Sequence, residues 1–322
     1  MKLIEIIIKP LTAFGTPLKG DTIFGHIFWE IIYDNKLVKK GINEIIEAYL
    51  NRNPFLITSS AFPVLNKDKN KVWYFTKPAI PLEYFSDFAY PENICNEILY
   101  LKYKDIKKAS WIKSSAFQID LSINNLETLK KDGISIFIKN KQIRNKINRI
   151  LGSTSENFAP YEVENLWFHP EIKLSIFVLY NEDIINLEEI KIIFERMGIS
   201  GFGRDASSGL GKFKILEINE LKMPDKSQIV YALSPFVPDE SLKEAEIFFN
   251  PFLKFGKHGS RFSAGDNPFK SPILMADEGA VIKSNKEVGI FVGKGISKIS
   301  KICKKTIHQG YSIVIPVKGF KG

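Results

Sequence analysis

Two stretches far apart in this chain repeat one order of elements, and this repetition constrains the fold more than any other feature. Residues 2–9 are dense in Ile and end at Pro10, which predicts a strand. A helix should follow, with Asp21 or Thr22 as its N-cap. Its apolar residues share one face at helical spacing, and they are Ile23, Phe24, Ile27, Phe28 and Ile31.

The second stretch predicts a strand over 171–180, a helix over Leu187–Met197 that is capped by Gly198, and a strand over 212–218. Between the two stretches, Val72–Thr76 is a further short strand candidate. The order strand, helix, strand, strand, helix, strand is that of a ferredoxin-like or RRM-like domain, in which two helices back a four-stranded antiparallel sheet. One face of such a sheet is a common RNA platform.

The remaining residues predict an insertion and a second domain. Residues 81–165 are too many for a loop of a compact domain, so we expect an insertion with its own structure. Residues 219–228 resemble a linker, and 229–322 form a smaller, more irregular unit. We therefore predict an α+β protein of two ferredoxin-like domains, the second degenerate, with a thumb inserted in the first. The first domain is expected to span 1–218. Within the second unit, strands are predicted at 229–233, 288–292 and 311–317, and a weak helical signal lies at 240–249.

Charge and composition restrict the function. The 322 residues carry 45 Lys and Arg against 36 Asp and Glu, a net charge of +9, which favours anionic partners such as nucleic acid. No apolar run approaches membrane-spanning length, and the first one is interrupted by Glu5, so a cytoplasmic protein is expected. The chain has two cysteines, Cys95 and Cys303, and four histidines without ligand spacing, so neither a metal nor a cofactor is expected.

The segment Gly198–Phe213 is the most informative one. Five glycines allow positive φ angles and close approach to a ligand, with N–H groups free to face phosphate oxygens, and Arg204, Lys212 and two serines add charge and hydroxyls. The segment does not match a Walker A loop, because Phe213 follows Lys212 where that motif needs Ser or Thr. A dinucleotide fingerprint fails because a helix precedes the glycines and a strand follows them. The segment thus predicts phosphate contact without ATP or NAD chemistry.

With this loop between the second helix and the fourth strand, the chain resembles the RAMP proteins of CRISPR–Cas systems. The stretches Ile143–Glu164 and Ile307–Val317 resemble, more narrowly, the RAMP subunit at the foot of the type III-A effector complex. The resemblance implies a non-catalytic subunit that binds the 5′ handle of the crRNA. It also implies contacts with the large polymerase-like signalling subunit and the adjacent backbone RAMP subunit, and a thumb that wedges at the guide–target duplex.

The resemblance also implies which residues contact the handle. In the glycine segment they are Gly201, Gly203, Arg204, Ser207, Ser208, Gly209, Gly211 and Lys212; in the insertion they are Arg144, Asn145, Arg149, Ser153 and Thr154. These residue types suit the task, because Arg and Lys neutralise phosphates while hydroxyls and amides fix the register. Trp111, Phe117, Phe158 and Tyr161 are candidates for base stacking, although an isolated aromatic residue is more often part of a core.

Two alternatives remain open. His26 lies on the first helix, where the metal-independent repeat endoribonucleases of the same superfamily carry a catalytic histidine. The chain could instead bind only proteins, with its basic charge serving as a solvated surface. Lysines spaced three to four residues apart near the end of the chain fit this second view, and they are Lys294, Lys298, Lys301, Lys304 and Lys305.

Overall fold

The computed structural model describes residues 1–67, 70–88, 104–131, 134–145, 147–150, 152–154, 160–259 and 268–321. Cys95, Phe158 and the predictions that fall on the other residues lie outside these ranges. Among the described residues, no helix is long and apolar enough to cross a bilayer.

Three helices of nine residues or more, a short helical segment at 104–108 and a set of strands form the first part of the described fold. The helices are α1 (Gly20–Tyr33), α2 (Ile42–Leu50) and α3 (Leu187–Ser200). The strands up to residue 221 are β1 (Lys2–Pro10), β2 (Leu56–Thr58), β3 (Phe62–Lys67), β4 (Asn70–Thr76), β5 (Trp111–Ser114), β6 (Ile119–Asp120), β7 (Leu126–Glu127), β8 (Lys130–Lys131), β9 (Ile134–Ser135), β10 (Phe137–Arg144), β11 (Tyr161–Phe168), β12 (Lys173–Tyr180) and β13 (Phe213–Leu221).

The later strands are β14 (Ser227–Ala232), β15 (Glu246–Phe248), β16 (Pro251–Lys254), β17 (Ile273–Ala276), β18 (Val281–Val288), β19 (Phe291–Ile296) and β20 (His308–Lys318). They form a second sheet in the order β15-β18-β14-β20-β19 and a separate hairpin of β16 and β17.

In the first sheet β1 lies between β13 and β12, and its Ile-rich sequence is buried along most of its length. Its strand order is β13-β1-β12-β3-β4-β5-β7, and β2 also pairs with β12. The four strands β13, β1, β12 and β3 pair antiparallel in that order. The α+β class is confirmed, whereas the two ferredoxin-like domains and their bounds at 218 and 229 stay predictions.

Several predicted elements are wrong in detail. Val72–Thr76 is a strand, but it pairs with β3 and β5, whereas β12 pairs with β1, β2 and β3. Helix α1 begins at Gly20, before both predicted caps. Gly20 packs so closely on the Thr58 carbonyl that a Cβ atom there would lie 2.4 Å from its oxygen. Gly198 is inside α3, and the helix is capped by Gly201, where φ is 92°.

The second unit departs from its prediction at three places. The predicted helix at 240–249 is a 3-10 turn, Glu240–Leu242, followed by strand β15. The predicted strand at 288–292 covers the end of β18 and the start of β19, with a turn at 289–290 between them. The predicted linker shortens to 222–226, because β13 and β14 extend into it from both sides.

The described strands of the predicted insertion pair with both sheets and with each other. Strands β5 and β7 extend the first sheet, β6 pairs in parallel with β20 of the second sheet, and β10 with β11 forms a hairpin. The two sheets also touch directly, since the Tyr231 hydroxyl donates to the Thr76 carbonyl at 2.7 Å. The hairpin of β10 and β11 emerges beside the loop that joins α3 to β13.

Candidate nucleic-acid interface

The loop between α3 and β13 is folded tightly on itself. The Phe202 amide donates to the Gly211 carbonyl at 3.0 Å, and the Gly211 amide donates to Ala13 at 2.7 Å. Gly211 has a φ of 72°, and a Cβ atom there would lie 2.1 Å from the Phe202 carbonyl oxygen. Only glycine fits this crossing of two backbone segments.

The glycine amides of this loop face the protein. Those of Gly201, Gly209 and Gly211 donate to backbone carbonyls, and that of Gly203 donates to His26 Nε2 at 3.1 Å. The expectation that glycine N–H groups are free to face phosphate oxygens is therefore wrong for these four. Their shared property is backbone conformation, since all four have positive φ angles.

His26 supports the loop from α1. Its ring packs on Phe202 with centroids 4.6 Å apart, while Nε2 accepts the Gly203 N–H. Burial lowers the pKa of His26 to about 4. The ring is neutral at neutral pH, which is the state in which Nε2 can accept this hydrogen bond.

Arg204 joins the loop to the β10–β11 hairpin. Its backbone N–H donates to Thr16 Oγ1 at 2.9 Å. Its guanidinium donates from Nη2 to the Glu164 carbonyl at 2.7 Å and to Asn165 Oδ1 at 3.0 Å, and Asn165 is buried. Arg204 therefore holds β11 against the loop, with part of its guanidinium still exposed.

A second link runs from β10 to the same loop. Arg144 Nη1 lies 2.7 Å from Asp205 Oδ2, and Arg204 Nε lies 3.6 Å from that oxygen. Asp205 takes a left-handed conformation with φ at 61°, a region that Asp tolerates better than most residues. Asp205 thus pairs with both arginines, and it neutralises part of the charge of the loop.

The exposed groups of the loop are the ones that a ligand can reach. Ser207, Ser208 and Lys212 are exposed, and the Cβ position of Gly209 opens into empty space. The main chain at Lys212 is fixed by its N–H, which donates to Thr12 Oγ1 at 2.9 Å. Hydroxyls and an ammonium group on a rigid backbone suit a phosphate chain.

The predicted residues of the hairpin fall into two groups. Arg144 contacts the loop through Asp205. The remaining predicted residues are exposed and lie beyond the end of β10, at or near the tip, and they are Asn145, Arg149, Ser153 and Thr154. At the tip Asn148 bridges Ser153, and the Gly152 amide donates back to Asn148 at 2.8 Å. A single RNA strand would contact both groups only if it ran along the hairpin.

The stacking candidates separate by burial. Phe117 packs on Phe177 with centroids 4.7 Å apart, and Trp111 packs edge-to-face on Phe137 at 5.9 Å, so both contribute to packing. Tyr161 is 45% exposed on β11, opposite Arg144, and its ring is accessible to a base.

Asp21, one of the two predicted caps of the first helix, is not part of this loop. It is buried, and its Oδ2 lies 2.7 Å from Lys254 Nζ and 3.4 Å from His308 Nε2. These two groups hold the pKa of Asp21 well below its usual range against the cost of burial. Across the described part of the chain, no three His, Cys, Asp or Glu side chains are grouped as a metal site would need.

The sequence reading missed the acceptors that hold the loop. Thr12 and Thr16 lie in the turn-rich stretch after β1, where Gly15 is so close to Arg204 that a Cβ atom would lie 2.7 Å from its carbonyl oxygen. The glycine and proline content of that stretch could have indicated these contacts, because it is typical of segments where two backbones approach closely.

Comparison with known proteins gives the fold. No protein-family model matches the chain, and no curated protein matches it. A chain from the crystal structure of the Csm1–Csm4 cassette in complex with cA4 is similar at a TM-score of 0.57 and 16% identity, with 100% of this chain and 98% of that chain covered. The same cassette with pppApA gives 0.56 and 16%, with 100% and 98% covered.

A chain from the Csm3–Csm4 subcomplex of the type III-A CRISPR–Cas interference complex gives a TM-score of 0.55 and 15% identity, with both chains covered completely. Csm4 is the component that these complexes share. The fold of this chain is therefore one that is also found in the Csm1–Csm4 cassette and in the Csm3–Csm4 subcomplex.

Proposed function

We propose that this chain is a non-catalytic subunit of a type III-A CRISPR effector complex that binds the 5′ handle of crRNA. It would bridge the large polymerase-like signalling subunit and the adjacent backbone RAMP subunit in the cytoplasm. The hairpin of β10 and β11 would act as the thumb beside the guide–target duplex. The mechanism is recognition, with no cofactor.

One observation carries the proposal. The loop is rigid on its inner side and presents Ser207, Ser208 and Lys212 to solvent, next to the hairpin that carries Arg144. A rigid backbone lowers the entropy lost when RNA binds, and the exposed groups match phosphate and ribose oxygens. The fold similarity to a chain of the Csm3–Csm4 subcomplex supports a place in a CRISPR effector complex, and the net charge of +9 favours an anionic partner.

The test is binding of labelled crRNA handle to the purified chain across a salt series with EDTA present. The Lys212→Ala variant should bind more weakly and lower the slope of log K against log salt by about 0.7, the value for one phosphate contact on a single strand. Lys222→Ala is the matched control, because Lys222 is equally exposed but follows the other end of β13.

Equal weakening by both variants would indicate a general effect of net charge and would contradict a handle site at the loop. The absence of salt-sensitive binding would favour the alternative in which the chain binds only proteins.

The endoribonuclease alternative is tested in the same samples. His26 is neutral, and its Nε2 is occupied by the Gly203 N–H, which supports a packing role. Intact repeat RNA after incubation with wild type is expected. Cleavage that disappears in His26→Ala would replace the proposal with a metal-independent nuclease.

A further inference from the structure

The last 35 residues carry most of the positive charge of the chain. Residues 288–322 contain seven lysines and no Asp, Glu or Arg, whereas the other 287 residues hold 38 Lys and Arg against 36 Asp and Glu. Five of the seven fall within residues 294–305, which we call the lysine segment, and they are Lys294, Lys298, Lys301, Lys304 and Lys305. The net charge of +9 therefore comes mainly from one short part of the chain and not from the loop between α3 and β13.

All five lysines of this segment are exposed. Within the described ranges, no carboxylate forms a salt bridge with any of them, and Lys305 Nζ instead donates to the side-chain oxygen of Asn43 at 2.9 Å. Exposed lysines elsewhere are often paired, as Lys141 is with Glu162 at 2.8 Å. The lysine segment thus presents uncompensated positive charge, which distinguishes it from the mixed-charge surface seen elsewhere on the chain.

The backbone of the lysine segment is anchored at Ile299 and Ser300. Ile299 is buried, and its carbonyl accepts the Ser271 amide at 2.7 Å. Ser300 Oγ lies 2.9 Å from His258 Nε2 and accepts the Cys303 amide at 2.9 Å. Because these contacts fix the backbone, the lysines stay close together and a bound polyanion has to order only their side chains.

Helix α1 connects the lysine segment to the loop between α3 and β13. Gly259, the residue after His258, packs on Trp29 of this helix, since a Cβ atom at Gly259 would lie 2.7 Å from Trp29 Nε1. His26 lies one turn earlier on α1, and its Nε2 accepts the Gly203 N–H of the loop. Residues three apart are neighbours on a helix surface, so the lysine segment and the loop adjoin the same face of α1. This arrangement allows one RNA strand to contact both regions.

We propose that the lysine segment is a second nucleic-acid site, which binds the phosphates of single-stranded RNA outside the handle without reading its sequence. The choice of RNA rests on the proposed function. Lysine offers a flexible point charge that suits phosphates, and the segment has no Arg to provide the planar fork of more specific contacts. A protein partner is disfavoured, because protein interfaces are depleted in lysine and the only large apolar side chain exposed in these described residues is Ile302.

The experiment measures the fluorescence anisotropy of three labelled RNAs with the purified chain across a salt series. The RNAs are the handle alone, a U-rich strand alone, and the handle extended at its 3′ end by that strand. In Lys298→Gln/Lys301→Gln/Lys304→Gln, affinity for the U-rich strand should fall about tenfold or more at low salt, and the slope of log K against log salt should fall by about 2, or about 0.7 for each of three phosphates. Affinity for the handle alone should match wild type, because the loop between α3 and β13 is unchanged. Glutamine keeps most of the side-chain stem, and thermal unfolding of each variant checks that the fold is retained.

The matched control is Lys222→Gln/Lys226→Gln/Lys286→Gln, which removes the same charge from another group of exposed lysines. These lysines flank the start of β14 and the end of β18, which pair with each other, and two acids, Asp225 and Glu287, lie among them. Their local charge is thus largely balanced, so we expect the control to bind the three RNAs almost like wild type.

Two supporting results differ in the source of the strand. Binding of the U-rich strand in the presence of excess unlabelled handle would mean that the site holds a separate RNA, whereas a gain in affinity for the extended handle only would mean that it holds crRNA continuing from the handle. The proposal is overturned if the U-rich strand adds no affinity for wild type in either form, if the lysine variant keeps that affinity, or if the control loses as much. Failure of wild type to bind the handle alone would contradict the proposed function instead, so the two failures are distinguishable.

Discussion

Arg204 Nη2 lies 3.0 Å from the side-chain oxygen of Asn165, and this contact couples the glycine loop to the hairpin. Asn165 is buried, so the bond cannot be exchanged for water at no cost. The residue that sequence reasoning assigns to RNA is thus first a structural link between two segments that are 39 residues apart.

Replacement of Arg204 separates its structural role in the loop from its proposed role in RNA binding. Arg204→Ala leaves Asn165 and the Glu164 carbonyl without their donor, so we expect a loss of about 1–3 kcal/mol in the free energy of unfolding. Arg204→Lys keeps the charge but loses the planar fork. If only charge matters to RNA, the Lys variant will bind the handle like wild type while still unfolding earlier in a urea titration. Equal stability of all three proteins would contradict the structural link.

Asp205→Asn tests the charge balance of the loop. Asn tolerates the left-handed conformation at φ 61°, so the backbone should be retained. Arg144 loses its carboxylate partner and the chain gains one positive charge, so we expect tighter handle binding at low salt and a convergence with wild type at high salt. Asp205→Ala, which adds backbone strain, is the comparison. Weaker binding by the Asn variant would show that Asp205 orients Arg144 toward RNA.

Two loop glycines should differ sharply when Ala replaces them. Gly211→Ala brings a Cβ atom to 2.1 Å from the Phe202 carbonyl, so we expect a loss of more than about 3 kcal/mol or failure to fold. Gly209→Ala, with φ at 91° and open space around it, should cost only about 1–2 kcal/mol of conformational strain. Denaturant midpoints compare the two directly. Similar values would mean that the loop rearranges around the new side chain.

The sequence predicts an element of secondary structure well only where the apolar residues of that element follow a clear pattern. Strand β1 and helices α1 and α3 follow from apolar periodicity, because their buried faces leave a clear pattern. Helix α2 and strand β3 were missed, since Pro63 and the short lengths obscure their pattern. The predicted helix at 240–249 was wrong because only Leu242 of its apolar residues is fully buried, and tertiary pairing makes Glu246–Phe248 a strand.

The candidate site was likewise predicted only in part. Five glycines and two basic residues identified the loop from composition alone. The partners that hold it, Thr16 and Asn165, come from elements 188 and 39 residues away from Arg204. Such contacts depend on how elements pack in three dimensions, which local sequence does not encode.

The final prediction concerns pH and His26. Its pKa is about 4 in the folded protein against 6.5 for a free histidine, because burial disfavours the charged ring. The unfolded chain therefore binds a proton below pH 6.5 that the folded chain does not bind until pH nears 4. The stabilisation from neutral His26 is complete above pH 6.5 and is lost as pH falls from 6.5 to 4, by about 3 kcal/mol in all.

His26→Gln keeps a hydrogen-bond acceptor for the Gly203 N–H but cannot titrate, so it is the matched variant. Urea unfolding at pH 7.5 and pH 5 should show a smaller fall in stability for His26→Gln than for wild type. RNA affinity at pH 7.5 should be retained by His26→Gln and reduced in His26→Ala, which removes the acceptor. The same pH dependence in wild type and His26→Gln would mean that other groups account for the acid sensitivity and that His26 is not held neutral by its burial.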